Sequence, residues 1–212
     1  MEFFHVINNR RSCRSFLPDE IPERILEKIL EAGRQAPSGG NAQNNYFGVI
    51  RDKKQKEKLA EAAGGQEWIC SAPVIIALCT DISRDRARVN RDDFGLIVDC
   101  TRFGEVLVNY LNRFPNRKEA KIFWENANCL LPGEHIFLAA VNFGLQGCWI
   151  GYLDIKKAGE ILNLPDDMAC HFLMPIGYPK ELSLDPGKKT LSETVFLICG
   201  MKNNFPEQKR RG

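Results

Sequence analysis

Three arginines and two serines lie within six residues near the start of the chain. They belong to residues 10–16, the arginine segment, and are Arg10, Arg11, Ser12, Arg14 and Ser15. The planar guanidinium of arginine and the hydroxyl donor of serine both match the oxygens of a phosphate group. The segment therefore indicates a phosphate site, and a solvated basic turn is the alternative on these residues alone.

A second polar segment, the amide loop, covers residues 36–43 and reads Ala-Pro-Ser-Gly-Gly-Asn-Ala-Gln. Its glycines permit close approach of a ligand to the backbone. Its Asn and Gln side chains offer both donors and acceptors, which suit the edge of a uracil-like ring or a polyol chain. An ordinary helix-to-strand turn is the alternative for this loop.

A third segment, the glycine turn, covers residues 144–151 and reads Gly-Leu-Gln-Gly-Cys-Trp-Ile-Gly. The pattern predicts the stop of a helix, a tight turn and a short strand. Backbone N–H groups could face a ligand where Gly151 leaves room, and a purely structural turn is the alternative.

Helices and strands that could position these segments follow from apolar periodicity. A short helix is predicted around Phe3, Phe4, Val6 and Ile7. Further helices are predicted over residues 22–35, 53–63, 94–113 and 132–143, and from a cap at Asp154 to residue 162. Strands are predicted over residues 46–50, 74–79, 148–152, 172–176 and 195–199, and the second of them should be buried on both faces.

The order of these elements indicates an α+β fold with a central sheet, because helices and strands mix without regular alternation. The Gly-x-Gly-x-x-Gly and Walker phosphate motifs are absent from the sequence. The length of 212 residues suits one domain, residues 1–212, with a substantial core.

Composition excludes several classes of function. The 29 basic and 27 acidic residues nearly balance, which gives no reason to expect a nucleic-acid partner. No apolar run is long enough for a membrane span, and the first residues do not resemble a signal peptide. We therefore expect a cytoplasmic protein.

The cysteines and histidines predict neither a metal site nor a catalytic triad. No two of the eight cysteines form a Cys-x-x-Cys pair, so most are expected to be free, buried thiols in a reducing compartment. His5, His135 and His171 lack metal or triad spacing, and His171 is expected to be a satisfied core residue.

The three segments together resemble the FMN-dependent nitroreductase family. The family patterns Arg-Arg-Ser-x-Arg-x-Phe, Ala-Pro-Ser-x-x-Asn-x-Gln and Gly-Leu-x-x-x-Trp-Ile-Gly stand here at residues 10–16, 36–43 and 144–151. Ile-Gly-Tyr-Pro at residues 176–179 also matches the end of a late family strand. The resemblance covers roughly residues 3–200.

This resemblance implies a nitroreductase-like fold, with a central mixed, mostly antiparallel sheet flanked by helices and a C-terminal segment extending onto a dimer partner. It implies a homodimer that binds FMN without a covalent bond and passes hydride from NADH or NADPH to a nitroaromatic, quinone or similar acceptor in a ping-pong cycle. The implied cofactor-binding residues are Arg10, Arg11, Ser12 and Arg14 near the phosphate, Pro37, Ser38, Gly39, Asn41 and Gln43 along the ribityl chain and ring, Ile150 and Gly151 near the flavin N5–O4 edge, and Lys188 and Lys189 closing the phosphate site.

The chain departs from the family pattern in three places. One is the start of the helix before the glycine turn, which reads Pro-Gly-Glu-His at residues 132–135. Asn44 and Asn45 stand where the family usually has Pro-Trp, and residues 83–123, which help to build the substrate channel in relatives, match least. Alternatives to the reductase are an FMN-binding sensor or carrier without turnover, a family variant such as a flavin reductase or dehalogenase, and a structural α+β domain with a basic loop.

Overall fold

The structure is a computed structural model that describes residues 2–85, 88–181 and 183–195, together with the backbone of residues 198–199 and 202–203. The helices are α1 (Phe3–Asn9), α2 (Glu23–Arg34), α3 (Lys53–Ala62), α4 (Phe94–Phe103), α5 (Glu105–Asn112), α6 (Arg117–Glu125), α7 (Leu130–Asn142), α8 (Ile155–Ile161) and α9 (Leu191–Thr194). The strands are β1 (Asn45–Ile50), β2 (Val74–Asp81), β3 (Gln146–Gly147), β4 (Met168–Gly177), β5 (Ile198–Cys199) and β6 (Lys202–Asn203).

A four-stranded sheet in the order β1-β2-β4-β3 forms the centre of the molecule, and its three strand pairings are antiparallel. A single parallel bridge adds Ser12 beside Gly147 at the β3 edge. The predicted α+β class and the mostly antiparallel sheet are therefore confirmed. β2 is buried on both faces along nearly its whole length, as its continuous apolar sequence predicts.

Helices cover both faces of the sheet because each face carries its own apolar cluster. On one face α2 and α7 pack over β2, and on the other α3 and α8 pack over β2 and β4. The largest buried side chains of the first face include Leu26, Ile29, Leu78, Ile136 and Phe137, and those of the second include Leu59, Ile69, Ile75 and Leu173.

A glycine sets how closely the two helices of the first face approach. Gly33 in α2 faces α7, and a Cβ atom built on it would lie 2.6 Å from Cγ1 of the buried Ile136. Only a residue without a side chain allows this contact, so the glycine fixes the packing of α2, whose end leads directly into the amide loop.

The predicted long helix over residues 94–113 is wrong. The structure has two helices, α4 and α5, separated by Gly104 with φ 81° and ψ 144°. That backbone conformation is readily available to glycine and is incompatible with an α-helix, so the chain turns there. The sequence prediction also lacked α6, whose apolar positions are spread among charged ones.

Two predicted strands also differ from the structure. Residues 148–152 do not form a strand: the regular pairing is the short β3, and beyond it Ile150 alone bridges to Leu173. The predicted strand over residues 195–199 includes two residues outside the described chain, and Ile198–Cys199 pairs antiparallel with Lys202–Asn203 in a separate two-stranded sheet. No helix of the described residues is long and apolar enough to span a membrane.

His171 occupies a β-bulge between β2 and β4. Leu78 pairs with Phe172 and Cys79 pairs with Cys170, so His171 is the extra residue of β4. Its side chain is only 2% exposed, which confirms the expected core position. Neither ring nitrogen has a hydrogen-bond partner among the described residues, so the expectation of a satisfied histidine is wrong. Burial lowers the pKa of His171 from its usual value near 6.5 to about 4.

This buried imidazole predicts a loss of stability in mild acid. The unfolded chain binds a proton at His171 below about pH 6.5, whereas the folded chain does so only near pH 4. Stability attributable to neutral His171 is therefore complete above pH 6.5 and is lost as the pH falls toward 4, by about 2 kcal/mol at pH 5. Urea unfolding at pH 7.5 and 5 should show this loss in the wild type and not in His171→Leu. Parallel pH dependence of the two proteins would contradict the assignment.

Candidate functional site

The arginine segment and the glycine turn lie side by side at the β3 edge of the sheet. Ser12 bridges to Gly147, and the backbone N–H of Cys13 donates to the carbonyl oxygen of Gly147 over 2.8 Å. A Cβ atom at Gly147 would lie 3.0 Å from the carbonyl oxygen of Pro175 in β4, so glycine permits this close packing of backbones. The structure therefore joins two of the three segments that the sequence singled out.

A buried amide reinforces the same junction. Gln146, only 5% exposed, accepts a hydrogen bond from the backbone N–H of Arg11 through Oε1 over 2.9 Å. Its Nε2 donates to the carbonyl oxygen of Asn9, also over 2.9 Å. Gln146 thus provides hydrogen-bond partners for backbone groups on both sides of Arg10, at the end of α1. This residue was not predicted from the sequence as part of the site.

Replacing Gln146 by leucine should destabilise this junction. The change leaves the N–H of Arg11 and the carbonyl of Asn9 without their partner, and a part-buried group left in that way costs about 1–2 kcal/mol. We expect the free energy of unfolding in urea to fall by about that amount. Gln55→Leu, at an exposed position of α3, is the matched control and should change stability by less than about 0.5 kcal/mol. Equal effects of the two substitutions would disprove the role of Gln146.

Arg10 and Arg14 each lie over an aromatic ring, Phe137 and Trp68, and Ser12 between them bridges to Gly147 of the glycine turn. Burial raises the pKa of the Cys148 thiol, while Arg14, a hydrogen bond from Ser12 and Arg10 act in the opposite direction. The guanidinium carbon of Arg10 also lies 5.3 Å from the centroid of the Phe137 ring. Two guanidinium groups and a hydroxyl from one short segment form a donor set suited to a phosphate.

Arg11 has different surroundings from its two neighbours. Its guanidinium donates to the carbonyl oxygens of Asn8 and Arg10, and it forms a 2.9 Å ion pair with Asp185. The hydroxyl of Ser183 donates to the carbonyl oxygen of Ser12 over 2.9 Å. These two contacts tether residues 183–185 to the arginine segment.

Lys188 and Lys189 follow this tether within a few residues. Both side chains are exposed. Gly187, with φ 73°, turns the chain between Asp185 and the lysines, and its N–H donates to Oδ1 of Asp185 over 2.9 Å. The contact of Lys188 and Lys189 with a phosphate stays a prediction.

The amide loop adopts an unusual backbone. Gly40, Asn41 and Gln43 have φ values of 58°, 54° and 49°, in the left-handed region that few residues other than glycine occupy. The hydroxyl oxygen of Ser38 accepts from the N–H of Gln43 over 3.0 Å and closes the loop. Pro37, Gly39, Asn41 and Gln43 are exposed, so the amide side chains are available to a ligand. Left-handed residues outside glycine are most frequent at binding and catalytic sites.

Asn44 explains one departure from the family pattern. Its Nδ2 lies 3.5 Å from Oε2 of Glu125 at the end of α6, and Nδ2 of Asn128 donates to the same oxygen. The backbone carbonyl oxygen of Asn44 accepts a hydrogen bond from the N–H of Asp81 over 2.8 Å. The residue that follows the amide loop is therefore tied to the end of α6, just after the segment 83–123 that matches the family least, and the loop and that segment both line a cavity of about 550 Å³. Sequence spacing gave no signal for this pair, which lies 81 residues apart.

The glycine turn begins at Gly144, which ends α7 with φ 80°. The indole N–H of Trp149 donates to Glu134 over 3.2 Å, and this ring meets Phe172 edge to face at 5.5 Å between centroids. The N–H and carbonyl of Ile150 both bond to Leu173, so these two backbone groups are engaged within the sheet. Gly151 is exposed and is the residue of the turn best placed to present backbone to a ligand.

The two ends of the candidate site lie at opposite edges of the sheet. The amide loop leads into β1, whereas the arginine segment and the glycine turn adjoin β3, with β2 and β4 between them. Adjacent strands lie about 4.8 Å apart, so three strand spacings separate the edges by about 14 Å. One chain therefore brings two segments together and leaves the third at the other edge.

Comparison with known proteins identifies the family of the chain. The sequence profile of the nitroreductase family matches residues 7–178. The chain is 30% identical to a NADH dehydrogenase of Thermus thermophilus over 187 residues, which cover 88% of this chain and 91% of the relative. It is 28% identical to a NADPH-flavin oxidoreductase of Vibrio harveyi, over 81% of this chain and 63% of that protein. The crystal structure of a nitroreductase family protein from Clostridium difficile superposes with a TM-score of 0.67 at 26% identity, covering 92% of this chain and 97% of that one. The chain belongs to the nitroreductase family of oxidoreductases.

Proposed function

We propose that the protein is an FMN-dependent oxidoreductase that passes hydride from NADH or NADPH to an organic acceptor. The observation that carries the proposal is the placement of the arginine segment, which holds Arg10, Ser12 and Arg14, directly against the glycine turn through the Ser12–Gly147 bridge. Membership of the nitroreductase family supports it, and so do the names of the relatives, which include a NADPH-flavin oxidoreductase and a NADH dehydrogenase.

The residues present suit FMN in their charge and in their hydrogen-bond donors, and the backbone of the amide loop has free space beside it. Arg10, Ser12 and Arg14 supply charged and hydroxyl donors for the phosphate, and no atom lies within 4 Å of a Cβ built on Gly39, so the amide loop leaves room for a ligand. Asn41 and Gln43 offer amides to the ribityl chain and the ring. A backbone N–H at the exposed Gly151 would stabilise negative charge at the N5–O4 edge.

When bound, FMN supplies a ring that takes hydride from a nicotinamide and gives it to an acceptor such as a quinone or nitroarene. The chain's own contribution is to hold the phosphate end, to orient the ring and to offer donors at its edge. No acid–base triad is required of the protein. Because donor and acceptor use the same face in turn, the cycle is ping-pong.

We also propose that the working unit is a homodimer. A two-fold axis can bring the amide loop of one copy to the arginine segment of the other, which one chain keeps at opposite edges of its sheet. The apolar surface needed for such an interface is present. Phe3 and Phe4 on α1 are 63% and 66% exposed, and Leu130 and Leu131 at the start of α7 are also exposed.

Mixing two variants tests this shared site. Arg14→Ala damages the arginine segment, and the double change Asn41→Ala and Gln43→Ala damages the amide loop. Each pure variant should lose FMN affinity, whereas unfolding and refolding the two together should restore full affinity to roughly a quarter of the sites. If mixing restores no sites, and the wild type is a monomer with full FMN occupancy, one chain forms the whole site.

The absorbance spectrum of the purified protein tests the cofactor itself. We expect a protein-bound flavin spectrum, with FMN and not FAD released on denaturation. A colourless protein that takes up no added FMN would favour a structural α+β domain with a basic loop. A yellow protein that never reduces its flavin with NADH or NADPH would favour a sensor or carrier.

A further inference from the structure

Trp68 lies beside the arginine segment although it is more than 50 residues away in sequence. It belongs to a short 3-10 helix, Glu67–Ser71, that links α3 to β2. Its ring packs against the buried cluster formed by Cys13, Phe16 and Ala72, so it supports the segment from beneath. The first two of these residues flank Arg14 on either side.

Two hydrogen bonds fix the short helix that carries Trp68. The hydroxyl of Ser71 donates to the carbonyl oxygen of Trp68 over 2.7 Å. The ammonium group of the buried Lys56 donates to the carbonyl oxygen of Ala72 over 2.9 Å. The indole is therefore held by its own helix and by the core, and its position does not depend on Arg14.

The guanidinium of Arg14 lies over this ring. Its Cζ lies 5.9 Å from the centroid of the Trp68 ring, within the range of a cation–π contact. Arg14 is exposed, and no carboxylate among the described residues forms an ion pair with it. A cation–π contact with the ring requires no hydrogen bond from the guanidinium, so its N–H groups stay available to bind an anion.

We propose that Trp68 is a positioning residue that holds Arg14 ready for the phosphate of FMN. The inference rests on the proposed function, and Trp68 acts through Arg14. An exposed arginine loses side-chain entropy when it binds a ligand, and a rigid aromatic platform removes part of that cost beforehand. A purely structural Trp68 would instead support the whole segment, with no particular relation to the phosphate.

A double-mutant cycle separates the two roles. The proteins are the wild type, Trp68→Leu, Arg14→Ala and the double variant, and flavin fluorescence gives the Kd for FMN and for riboflavin, which lacks the phosphate. We expect Trp68→Leu to weaken FMN binding by about threefold to tenfold and riboflavin binding by less than about twofold. In the Arg14→Ala background, Trp68→Leu should have no further effect on FMN. Trp68→Phe keeps an aromatic face and should retain most of the affinity.

Two results would overturn the inference. One is an equal loss for FMN and riboflavin, and the other is the same loss for FMN whether or not Arg14 is present. If Trp68→Leu fails to fold, Trp68→Met, which is also without an aromatic face, and its combination with Arg14→Ala are compared in the same way. Full FMN affinity in Arg14→Ala alone would instead overturn the proposed phosphate site, so the two failures are distinguishable.

Discussion

Replacing Arg14 by alanine weakens the binding of FMN by about 10- to 100-fold, the largest effect on binding that we expect from a single substitution. A charge-assisted hydrogen bond contributes about 1.5–3 kcal/mol, and each 1.4 kcal/mol is tenfold in Kd. Arg14 is exposed and its guanidinium lies over the Trp68 ring, so its side chain is positioned and accessible at once. The Kd is measured by the change in flavin fluorescence on titrating the apoprotein.

Two controls make the Arg14 result specific. Arg24→Ala removes an exposed arginine from α2, away from the three segments, and should leave the Kd for FMN unchanged. Riboflavin affinity should fall much less than FMN affinity in Arg14→Ala, because riboflavin has no phosphate to lose. Unchanged FMN affinity in Arg14→Ala would mean that the phosphate binds elsewhere on the protein.

Phe137→Ala should cost about 3–5 kcal/mol of stability, the largest loss that we expect at neutral pH. Phe137 in α7 is fully buried and belongs to the cluster between α7, α2 and the sheet. Its ring also contacts the site, because Arg10 stacks on it and a Cβ at Gly147 would lie 3.4 Å from its Cε2. Urea unfolding at pH 7.5 measures the loss, and FMN affinity should fall as well because Arg10 loses its platform.

The matched control for this cavity is Phe94→Ala. Phe94 is 75% exposed at the start of α4, so its removal creates no cavity and should change stability by less than about 0.5 kcal/mol. Phe137→Leu retains most of the volume and should fall between the two. A loss below about 1 kcal/mol for Phe137→Ala would show that the core around Arg10 can collapse, contrary to the packing described above.

The parts of the fold that local sequence determines were predictable. Asp154 caps α8 by accepting from the N–H of Lys157, and the apolar run of β2 predicted a strand buried on both faces. Where one residue overrode a pattern, the prediction failed. Gly104 breaks an apolar stretch whose helical periodicity is otherwise continuous, and a periodicity argument averages over such a residue.

The candidate site was predictable only in its local segments. The arginine segment and the glycine turn were recognisable from composition, and the structure places them together. Contacts across the chain had no local signal: Trp68 under Arg14 and Glu125 beside Asn44 are set by the packing of separate elements. Gln146 lay inside a recognised segment, but its buried hydrogen bonds to Asn9 and Arg11 depend on the end of α1, far away in sequence.

The rate at which the FMN-loaded protein oxidises NADH and NADPH with a quinone as acceptor tests the central claim most directly. Initial rates are measured over a grid of donor and acceptor concentrations, with free FMN at the same concentration as the blank. The proposed function predicts turnover well above the blank with at least one nucleotide, and parallel double-reciprocal lines as a ping-pong cycle requires. A protein that binds FMN and yet oxidises neither nucleotide faster than free FMN would contradict it.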